Sequence, residues 1–314
     1  MFLIGDIGGT KVYLAYYDHD HVVKEEKFPS RHYNSFYEIL KKFVDRPADK
    51  SYLALAGPIQ DRKCHMTNLN WDIDADQIEK EYRVSKVHLI NDLVAAGCGL
   101  KHLKPKDIFT LNEGVKVSGN QAIIAAGTGF GIGGLCWDGK NHLPLTSEGG
   151  HADFAPRSAT DKQLWDYLHK KYGHVSIERV VSGPGLEHLY WFLVERGKHK
   201  KGLVGEEIPK QVVEQGLAGE SKICGEVLQW FASLYGATAG NVALQFLSVG
   251  GIYLAGGIAP RILSVLKQGE FMKAFTDKGR FQELLQKIPV HVVLNESLPL
   301  FGALELCLKS RLGV

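Results

Sequence analysis

Two stretches of this chain, about 120 residues apart, repeat one pattern, and the repeat limits the folds open to it. The first copy, residues 2–28, is an apolar strand that ends at Gly8 and Gly9 and is followed by two further strands. The second copy, residues 121–145, turns in the same way at Gly127, Thr128 and Gly129. The repeat predicts duplicated domains that each offer a glycine turn to one shared ligand.

Helices and strands alternate outside the two copies. Residues 35–44 have apolar side chains at helical spacing, and residues 52–56 form an apolar run stopped by Gly57 and Pro58. Such alternation predicts mixed sheets covered by helices, an α/β fold. The 314 residues are enough for two domains. A final helix, predicted to begin after Gly302, is expected to return to the first domain.

The first glycine turn is a candidate phosphate site, because glycine lacks the Cβ that would keep an anion from the backbone N–H groups. A plain hairpin turn with positive φ explains Gly8 and Gly9 equally well. Asp6 and Thr10 favour the phosphate site, since an acid suits hydrated Mg²⁺ and a hydroxyl suits a phosphate oxygen. Lys11 adds a charge there or points to solvent.

Two familiar nucleotide motifs are excluded. Residues 129–134 match G-x-G-x-x-G, but a strand-like segment and then Asp138 and Gly139 follow, whereas the dinucleotide fingerprint requires a helix at that point. The P-loop pattern G-x-x-x-x-G-K-[ST] does not occur in the sequence.

Asp92 is the candidate catalytic base. It follows the apolar strand 87–90 and precedes a helical segment, and sites in α/β folds gather where strands end. The alternative is that Asp92 only caps the helix.

Residues 146–185 include a cluster of polar side chains that a hydrophobic core does not explain. Glu148 and His151 flank two glycines, and Glu178 precedes an apolar stretch. Carboxylates and imidazole suit a sugar, since adjacent hydroxyls both donate and accept hydrogen bonds. A loop histidine and a first-turn acid are the alternatives for His151 and Glu178. Later, a strand from Gly250 stops at Gly256 and Gly257, where a planar base could lie on the backbone or a helix could simply pack closely on the sheet.

Composition excludes other classes of protein. A net charge of +2, with one short basic run at 198–201 that is expected to be a solvated loop, argues against nucleic acid and membrane partners. The five cysteines are scattered, so neither a disulfide framework nor a zinc site is expected. No apolar stretch approaches the roughly 18 residues that span a bilayer, and no signal peptide is evident. We expect a cytoplasmic protein.

Six motifs, in order, resemble the bacterial glucokinase family: GDIGGT at 5–10, IND at 90–92, GTG at 127–129, EGGHADFAP at 148–156, SIERVVSGPGL at 176–186 and LAGGI at 254–258. The resemblance covers nearly the whole chain. It implies the two-domain actin-like ATPase (ribonuclease H-like) fold, with the active-site cleft between a small domain (1–105 plus 294–314) and a large domain (106–293). Related sugar kinases carry a Cys-rich zinc motif after the sugar-binding His. Here residues 152–156 replace it, which favours the zinc-free group.

The resemblance also implies an activity, phosphorylation of D-glucose on its 6-hydroxyl by ATP and Mg²⁺, and a homodimer. It makes Asp92 the base and assigns the sugar to Asn91, Asp92, Glu148, His151 and Glu178. The residues implied to hold the nucleotide are Gly5, Asp6, Ile7, Gly8, Gly9, Thr10, Gly127, Thr128, Gly129, Gly256, Gly257 and Ile258. Mg²⁺ is expected to bind mainly through the ATP phosphates, with Asp6 near it.

Three alternatives remain. A kinase for another hexose is open, because hydroxyl-by-hydroxyl discrimination depends on fine side-chain placement. A non-catalytic sugar sensor of the same fold is disfavoured, since transcriptional regulators need a DNA-binding extension and the first strand begins close to Met1. A filament protein would have little use for the cluster of Glu148, His151 and Glu178.

Overall fold

The structure is a computed structural model that describes residues 1–66, 69–197, 202–205 and 207–310. The basic run predicted to be a solvated loop, 198–201, lies outside the described residues. The chain divides into two compact units, the first made of Met1–Lys104 with Ser297–Val314 and the second of Pro105–Glu296. The assignment of these two units to the two predicted domains stays a prediction.

The first unit begins with β1 (Phe2–Ile7), β2 (Lys11–Asp18), β3 (His21–Pro29), α1 (Phe36–Phe43), β4 (Lys50–Leu55), β5 (Ile59–Gln60), β6 (Lys63–Met66), β7 (Trp71–Asp74), α2 (Ala75–Glu81), β8 (Val87–Asn91) and α3 (Asp92–Gly99). The second unit contains β9 (Ile108–Asn112), β10 (Gln121–Ala126), β11 (Phe130–Trp137), β12 (His142–Leu145), α4 (Ala159–Tyr172), α5 (Gly183–Arg196), α6 (Ile208–Ala218), α7 (Lys222–Gln245), β13 (Gly251–Ala255), α8 (Ile258–Arg261), α9 (Leu263–Leu266), α10 (Glu270–Thr276), α11 (Gln282–Gln286) and β14 (Val290–Val293). The chain then returns to the first unit in α12 (Leu298–Lys309). Short 3-10 turns lie at Ser30–His32, Leu100–His102, Pro105–Asp107, Gly149–His151, Ile177–Arg179 and Gly279–Phe281.

A mixed sheet in the order β3-β2-β1-β4-β8 forms the centre of the first unit. β1 pairs antiparallel with β2 and parallel with β4, and β4 pairs parallel with β8. Alternate residues of β1 enter different cores: Leu3 and Ile7 pack with the helix α1, and Phe2 and Ile4 pack with α12. This alternation follows from the two-residue period of a strand. It leaves both faces of β1 covered.

The small antiparallel sheet β5-β6-β7 was not predicted. Its signal was present in the sequence, because Cys64 and Met66 on β6, and Trp71 and Ile73 on β7, alternate with exposed or part-exposed polar residues and are themselves buried. The strands are too short for that alternation to stand out. β9 was missed in the same way, since it is five part-buried residues at a sheet edge.

The second unit repeats the opening of the first. Strands β10, β11 and β12 form the predicted antiparallel meander, and β10 pairs parallel with β13. The full order is β12-β11-β10-β13-β14-β9. Helix α7 packs closely against α10 because Gly236 lacks a side chain, and a Cβ there would lie 2.0 Å from the carbonyl oxygen of Phe271. The predicted mixed sheets with helices on their faces are confirmed.

The prediction that the last helix begins after Gly302 is wrong, since α12 begins at Leu298. Gly302 lies inside α12 at its contact with α3, where a Cβ would lie 1.6 Å from the carbonyl oxygen of Ala95. The glycine therefore permits a close contact between helices instead of ending one. In the described part of the chain, no helix is both long enough and apolar enough to cross a membrane.

Candidate active site

Three parallel strands of the first unit end at the same edge of its sheet. Ile7 on β1 lies opposite Leu55 on β4, and Leu55 lies opposite Asn91 on β8. Neighbouring strands are about 4.8 Å apart, so the ends of β1 and β8 are separated by roughly 10 Å. Residues that directly follow these strands, Gly8 and Asp92, therefore share one edge.

The first glycine turn is closed by its own backbone. The N–H of Gly8 donates to the carbonyl oxygen of Lys11 at 3.0 Å, and the buried hydroxyl of Ser30 donates to the carbonyl oxygen of Gly8 at 2.8 Å. Neither Gly8 nor Gly9 has a positive φ, so a strained hairpin does not account for them. Thr10 is exposed beside them.

Two residues of the GDIGGT motif have packing roles. Gly5 lies inside β1, and a Cβ there would lie 2.8 Å from methyl carbons of both Leu14 and Leu53. Ile7 is fully buried in the core. Only the backbone of these two residues could serve a ligand.

Asp6 is a buried carboxylate, with 8% of the residue exposed. Burial, and to a lesser extent the negative charge of Asp92, raise its pKa to about 7, and the positive charge of Lys11 opposes the shift. Lys11, left open by the sequence, thus acts electrostatically on Asp6. The charge of Asp92 also adds to the effect of burial that raises the pKa of the Cys64 thiol to about 11.

The side chains of Asn91 and Asp92 both accept hydrogen bonds from backbone N–H groups at the start of α3. The side-chain oxygen of Asn91 accepts from the N–H groups of Leu93 at 3.0 Å and Val94 at 3.2 Å, which makes Asn91 the N-cap. Oδ1 of Asp92 accepts from the N–H of Leu93 at 2.9 Å. The alternative that Asp92 is the cap is therefore wrong. With its oxygen engaged, Asn91 has its Nδ2 amide to offer a ligand.

The second glycine turn lies at an equivalent edge of the second unit. The N–H of Gly127 donates to the carbonyl oxygen of Gly129 at 2.9 Å, and the hydroxyl-bearing Thr128 is exposed. Because β10 and β13 are parallel, with Ala125 opposite Ala255, the turn at 256–258 lies at the same edge. The turns at 127–129 and 256–258 thus lie at the same edge of the sheet of the second unit.

The glycines at this edge differ in how much space surrounds them. Gly256 has φ 81°, and a Cβ there would lie 2.3 Å from the carbonyl oxygen of Ala126, so the backbone itself requires glycine. At Gly127 and Gly257 a Cβ would meet no described atom within 4 Å. Those two positions leave space at the strand ends that a ligand could fill.

Three of the predicted sugar residues, Glu148, His151 and Glu178, lie in two loops of the second unit that a backbone hydrogen bond joins. Glu148 and His151 are exposed at the ends of a 3-10 turn, in which the N–H of His151 donates to the carbonyl oxygen of Glu148 at 3.0 Å. The N–H of Ile177 donates to the carbonyl oxygen of Ala152 at 2.9 Å. This contact holds the loop of His151 beside the turn that carries Glu178.

The backbone beneath these loops is tightly packed. A Cβ on Gly150 would lie 1.8 Å from the carbonyl oxygen of Phe130, so the first residue of β11 and the sugar loop approach as closely as glycine allows. Sequence patterns do not reveal such a contact, because it joins residues 20 positions apart across two elements.

The side chain of Glu178 reaches the second glycine turn. Its Oε2 accepts from the backbone N–H of Phe130 at 2.8 Å and would lie 2.7 Å from a Cβ on Gly129. The hydroxyl of Ser182 donates to the carbonyl oxygen of Glu178 at 2.6 Å. Sequence reasoning missed Phe130, Ser182 and Gly183, although Ser182 precedes a Gly-Pro-Gly helix start, which is an N-cap signal.

A cavity of about 780 Å³ in the second unit lies among α6, α7, α9 and α10. Trp230, Gln229 and Gln268 are among its lining residues, and none of the predicted site residues lines it. Within the described residues, no group of three or more His, Cys, Asp or Glu side chains is arranged to hold a metal ion.

A family model described as Glucokinase matches residues 3–310. The glucokinase of Trichormus variabilis is 37% identical over 336 aligned residues, which cover 96% of this chain and 97% of that protein. The solved glucokinase from an Antarctic psychrotroph is 29% identical, with a TM-score of 0.82 over 98% of both chains. A ROK family glucokinase from Streptomyces griseus, solved with glucose and AMPPNP, is 17% identical with a TM-score of 0.66, covering 97% of this chain and 98% of that one. The predicted fold is confirmed by these similarities.

Proposed function

The chain belongs to the glucokinase family, and we propose that it carries out the family's reaction, ATP-dependent phosphorylation of D-glucose, with Asp92 as the general base. The match to the family over residues 3–310 carries this proposal. The position of Asp92 at a strand end, on the same sheet edge as the glycine turn that follows β1, supports its role.

In the proposed reaction, the 6-hydroxyl oxygen of glucose attacks the γ-phosphorus of ATP while its proton passes to the carboxylate of Asp92. The bond from the γ-phosphorus to the oxygen that bridges it to the β-phosphorus breaks, and ADP leaves with that oxygen. Phosphoryl transfer depends chiefly on positioning and on neutralising charge. Fixing Asp92 through the N–H of Leu93 holds the acceptor of the proton in one orientation.

We assign the sugar to Asn91, Asp92, Glu148, His151 and Glu178. The amide of Asn91 would donate to a hydroxyl, since its oxygen is engaged by the helix. The carboxylates would accept from hydroxyls, and His151 can do either. Exposure of Glu148 and His151 supports their availability to a ligand.

We assign the phosphates to the segments 5–10 and 127–129, and the adenosine to residues 256–258. The N–H groups of Gly8 and Gly127 are engaged within their own turns, so they are not among the donors to phosphate. The open space at Gly127 and Gly257 supports this assignment. Exposed hydroxyls at Thr10 and Thr128 could donate to phosphate oxygens.

Asp6 fits a role near Mg²⁺, because a buried carboxylate whose ionisation is opposed by Asp92 gains from a nearby cation. When bound with ATP, Mg²⁺ neutralises charge on the phosphates. The chain's own contribution is to hold Asp6 near the edge of the sheet where β1 ends.

We further propose a cytoplasmic homodimer. The free thiols of Cys64, Cys98, Cys136 and Cys224 suit a reducing compartment. Similarity to the family alone supports the dimer.

A coupled assay of ADP release tests the proposed function. With MgATP present, turnover is measured separately with glucose, mannose, fructose and an N-acetylated hexosamine. We expect turnover with glucose well above that with the others. Preference for another of these sugars would identify a different hexose kinase. Sugar-dependent thermal stabilisation without turnover would indicate a sugar sensor.

A further inference from the structure

The side chain of Glu178 makes a hydrogen bond that sugar binding would not require. Its Oε2 accepts from the backbone N–H of Phe130, the residue that directly follows the turn at 127–129. We propose that Glu178 is a positioning residue for this phosphate-binding turn as well as a sugar ligand, so that one carboxylate serves both subsites of the second unit. The inference rests on the proposed function, because it takes the roles of the sugar loops and of the turn from there.

Two side-chain hydrogen bonds hold the backbone at Glu178 and at the next residue. The carbonyl oxygen of Glu178 accepts from the hydroxyl of Ser182, and the carbonyl oxygen of the next residue, Arg179, accepts from Nδ1 of His188 at 2.8 Å. Nδ1 of His188 must then carry the hydrogen, and Nε2 accepts from the hydroxyl of Tyr172 at 2.9 Å. Burial lowers the pKa of His188, which favours this neutral form.

The turn is held from both sides by the same segment of chain. On one side, the N–H of Gly183 donates to the carbonyl oxygen of Gly127 at 2.8 Å. On the other side, the carboxylate of Glu178 accepts from the N–H of Phe130. Residues 178–183 thus hold the turn at its first and last peptide groups. Of these two contacts, loss of the carboxylate would leave the one at Gly127.

The two oxygens of Glu178 allow both roles at once. Oε2 is engaged by Phe130, while Oε1 has no hydrogen-bond partner among the described residues. A sugar hydroxyl can therefore donate to Oε1 without breaking the contact to the turn. The negative charge itself is unfavourable near a phosphate. A carboxylate that only acted electrostatically on the turn would weaken nucleotide binding, whereas one that holds the turn strengthens it.

Calorimetric titration with MgADP in the absence of sugar separates these cases. Glu178→Ala removes the acceptor, and we expect MgADP to bind about tenfold more weakly, as for loss of a charge-assisted hydrogen bond. Glu178→Gln keeps an acceptor oxygen and removes the charge, so its MgADP affinity should stay within about twofold of the unsubstituted protein or rise. His151→Ala is the matched control, since it alters the neighbouring sugar loop only, and its MgADP affinity should not change.

Hydrogen exchange provides a second readout that needs no ligand. The amide of Phe130 should exchange faster in Glu178→Ala than in Glu178→Gln or His151→Ala, because only the first variant lacks the acceptor. If Glu178→Ala does not fold, Glu178→Met fills similar volume without an acceptor and takes its place.

Unchanged MgADP affinity in Glu178→Ala would overturn the inference, as would equal weakening in His151→Ala or tighter binding in both Glu178 variants. If the unsubstituted protein binds MgADP but does not phosphorylate glucose, the proposed function and the sugar role of Glu178 fail, and the variants still decide whether Glu178 positions the turn. If it does not bind MgADP, both fail.

Discussion

At the scale of single residues, the carboxylates of Asp6 and Asp92 influence one another. Both lie at the edge where the parallel strands of the first unit end, and the charge of Asp92 adds to the burial that raises the pKa of Asp6. A positive charge from Lys11 offsets part of that effect. Such a cluster is typical of a functional site, because charge of one sign is kept where a packed core would avoid it.

The substitution Asp92→Asn tests whether Asp92 is the general base. The amide keeps an oxygen in the position of Oδ1, so the hydrogen bond from the N–H of Leu93 and the start of α3 should be preserved. Without a proton acceptor, we expect kcat to fall by about 10²–10⁴-fold, as measured by ADP release. Glucose should still shift the unfolding temperature.

Asp72→Asn is the control for this change, since its side chain is 87% exposed on β7 and no role is assigned to it. Its kcat should be unchanged. A near-normal kcat for Asp92→Asn would rule out the role of general base.

Asp6 should make stability depend on pH. The pKa of its carboxyl rises from 3.8 in the unfolded chain to about 7 in the folded one, so the folded state binds the proton more tightly. Its contribution to stability is fully present below the unfolded pKa and is lost as the pH rises through the folded pKa.

Asp6→Asn removes that dependence. Urea unfolding at about pH 5 and about pH 8 should show a fall in stability with rising pH that is smaller in the variant by a few kcal/mol at most. An identical dependence in both proteins would mean that Asp6 is not buried as described.

At the scale of elements, the contact between α3 and α12 matters because α3 begins with Asp92. Gly302 and Gly99 lie in this contact, where a Cβ at Gly99 would lie 2.4 Å from the carbonyl oxygen of Leu298. Backbone therefore packs against backbone. Any side chain introduced there must push the two helices apart.

Gly302→Ala should lower the free energy of unfolding by about 3 kcal/mol or more, because its Cβ would meet the carbonyl oxygen of Ala95. Calorimetry should show a lower unfolding temperature, and kcat should fall as α3 shifts. Gly225→Ala is the matched control in α7, where a Cβ meets no described atom within 4 Å. That variant should be neutral or more stable by up to about 1 kcal/mol. Equal effects of the two substitutions would contradict the described contact.

Elements with strong periodicity were predictable. In α1, Phe36, Ile39, Leu40 and Phe43 are all buried, as helical spacing requires. The short strands β5 to β7 and β9 were not predicted, since two to five residues carry too little pattern. The predicted start of α12, after Gly302, is wrong because this glycine does not break the helix. It lies inside the helix, where the close contact with α3 leaves no room for a side chain.

At the scale of the whole molecule, the oligomeric state is open to a direct test. From the family we expect a homodimer. Light scattering coupled to gel filtration should give twice the mass of the 314-residue chain at micromolar concentration. The mass of a single chain would contradict the proposed dimer. A dimer should also persist at high salt if its contact is mainly apolar.

The sequence by itself determined the fold class, the repeated meander and the strand-end positions of the candidate residues, because these depend on local periodicity and on glycines next to one another in the chain. Only the tertiary structure decided that Asn91 and not Asp92 caps α3, that burial and Asp92 together raise the pKa of Asp6, and that Glu178 accepts a hydrogen bond from the N–H of Phe130. The physical reason is that capping choice, desolvation and hydrogen bonds across 48 residues depend on distances in space, which local sequence pattern does not specify.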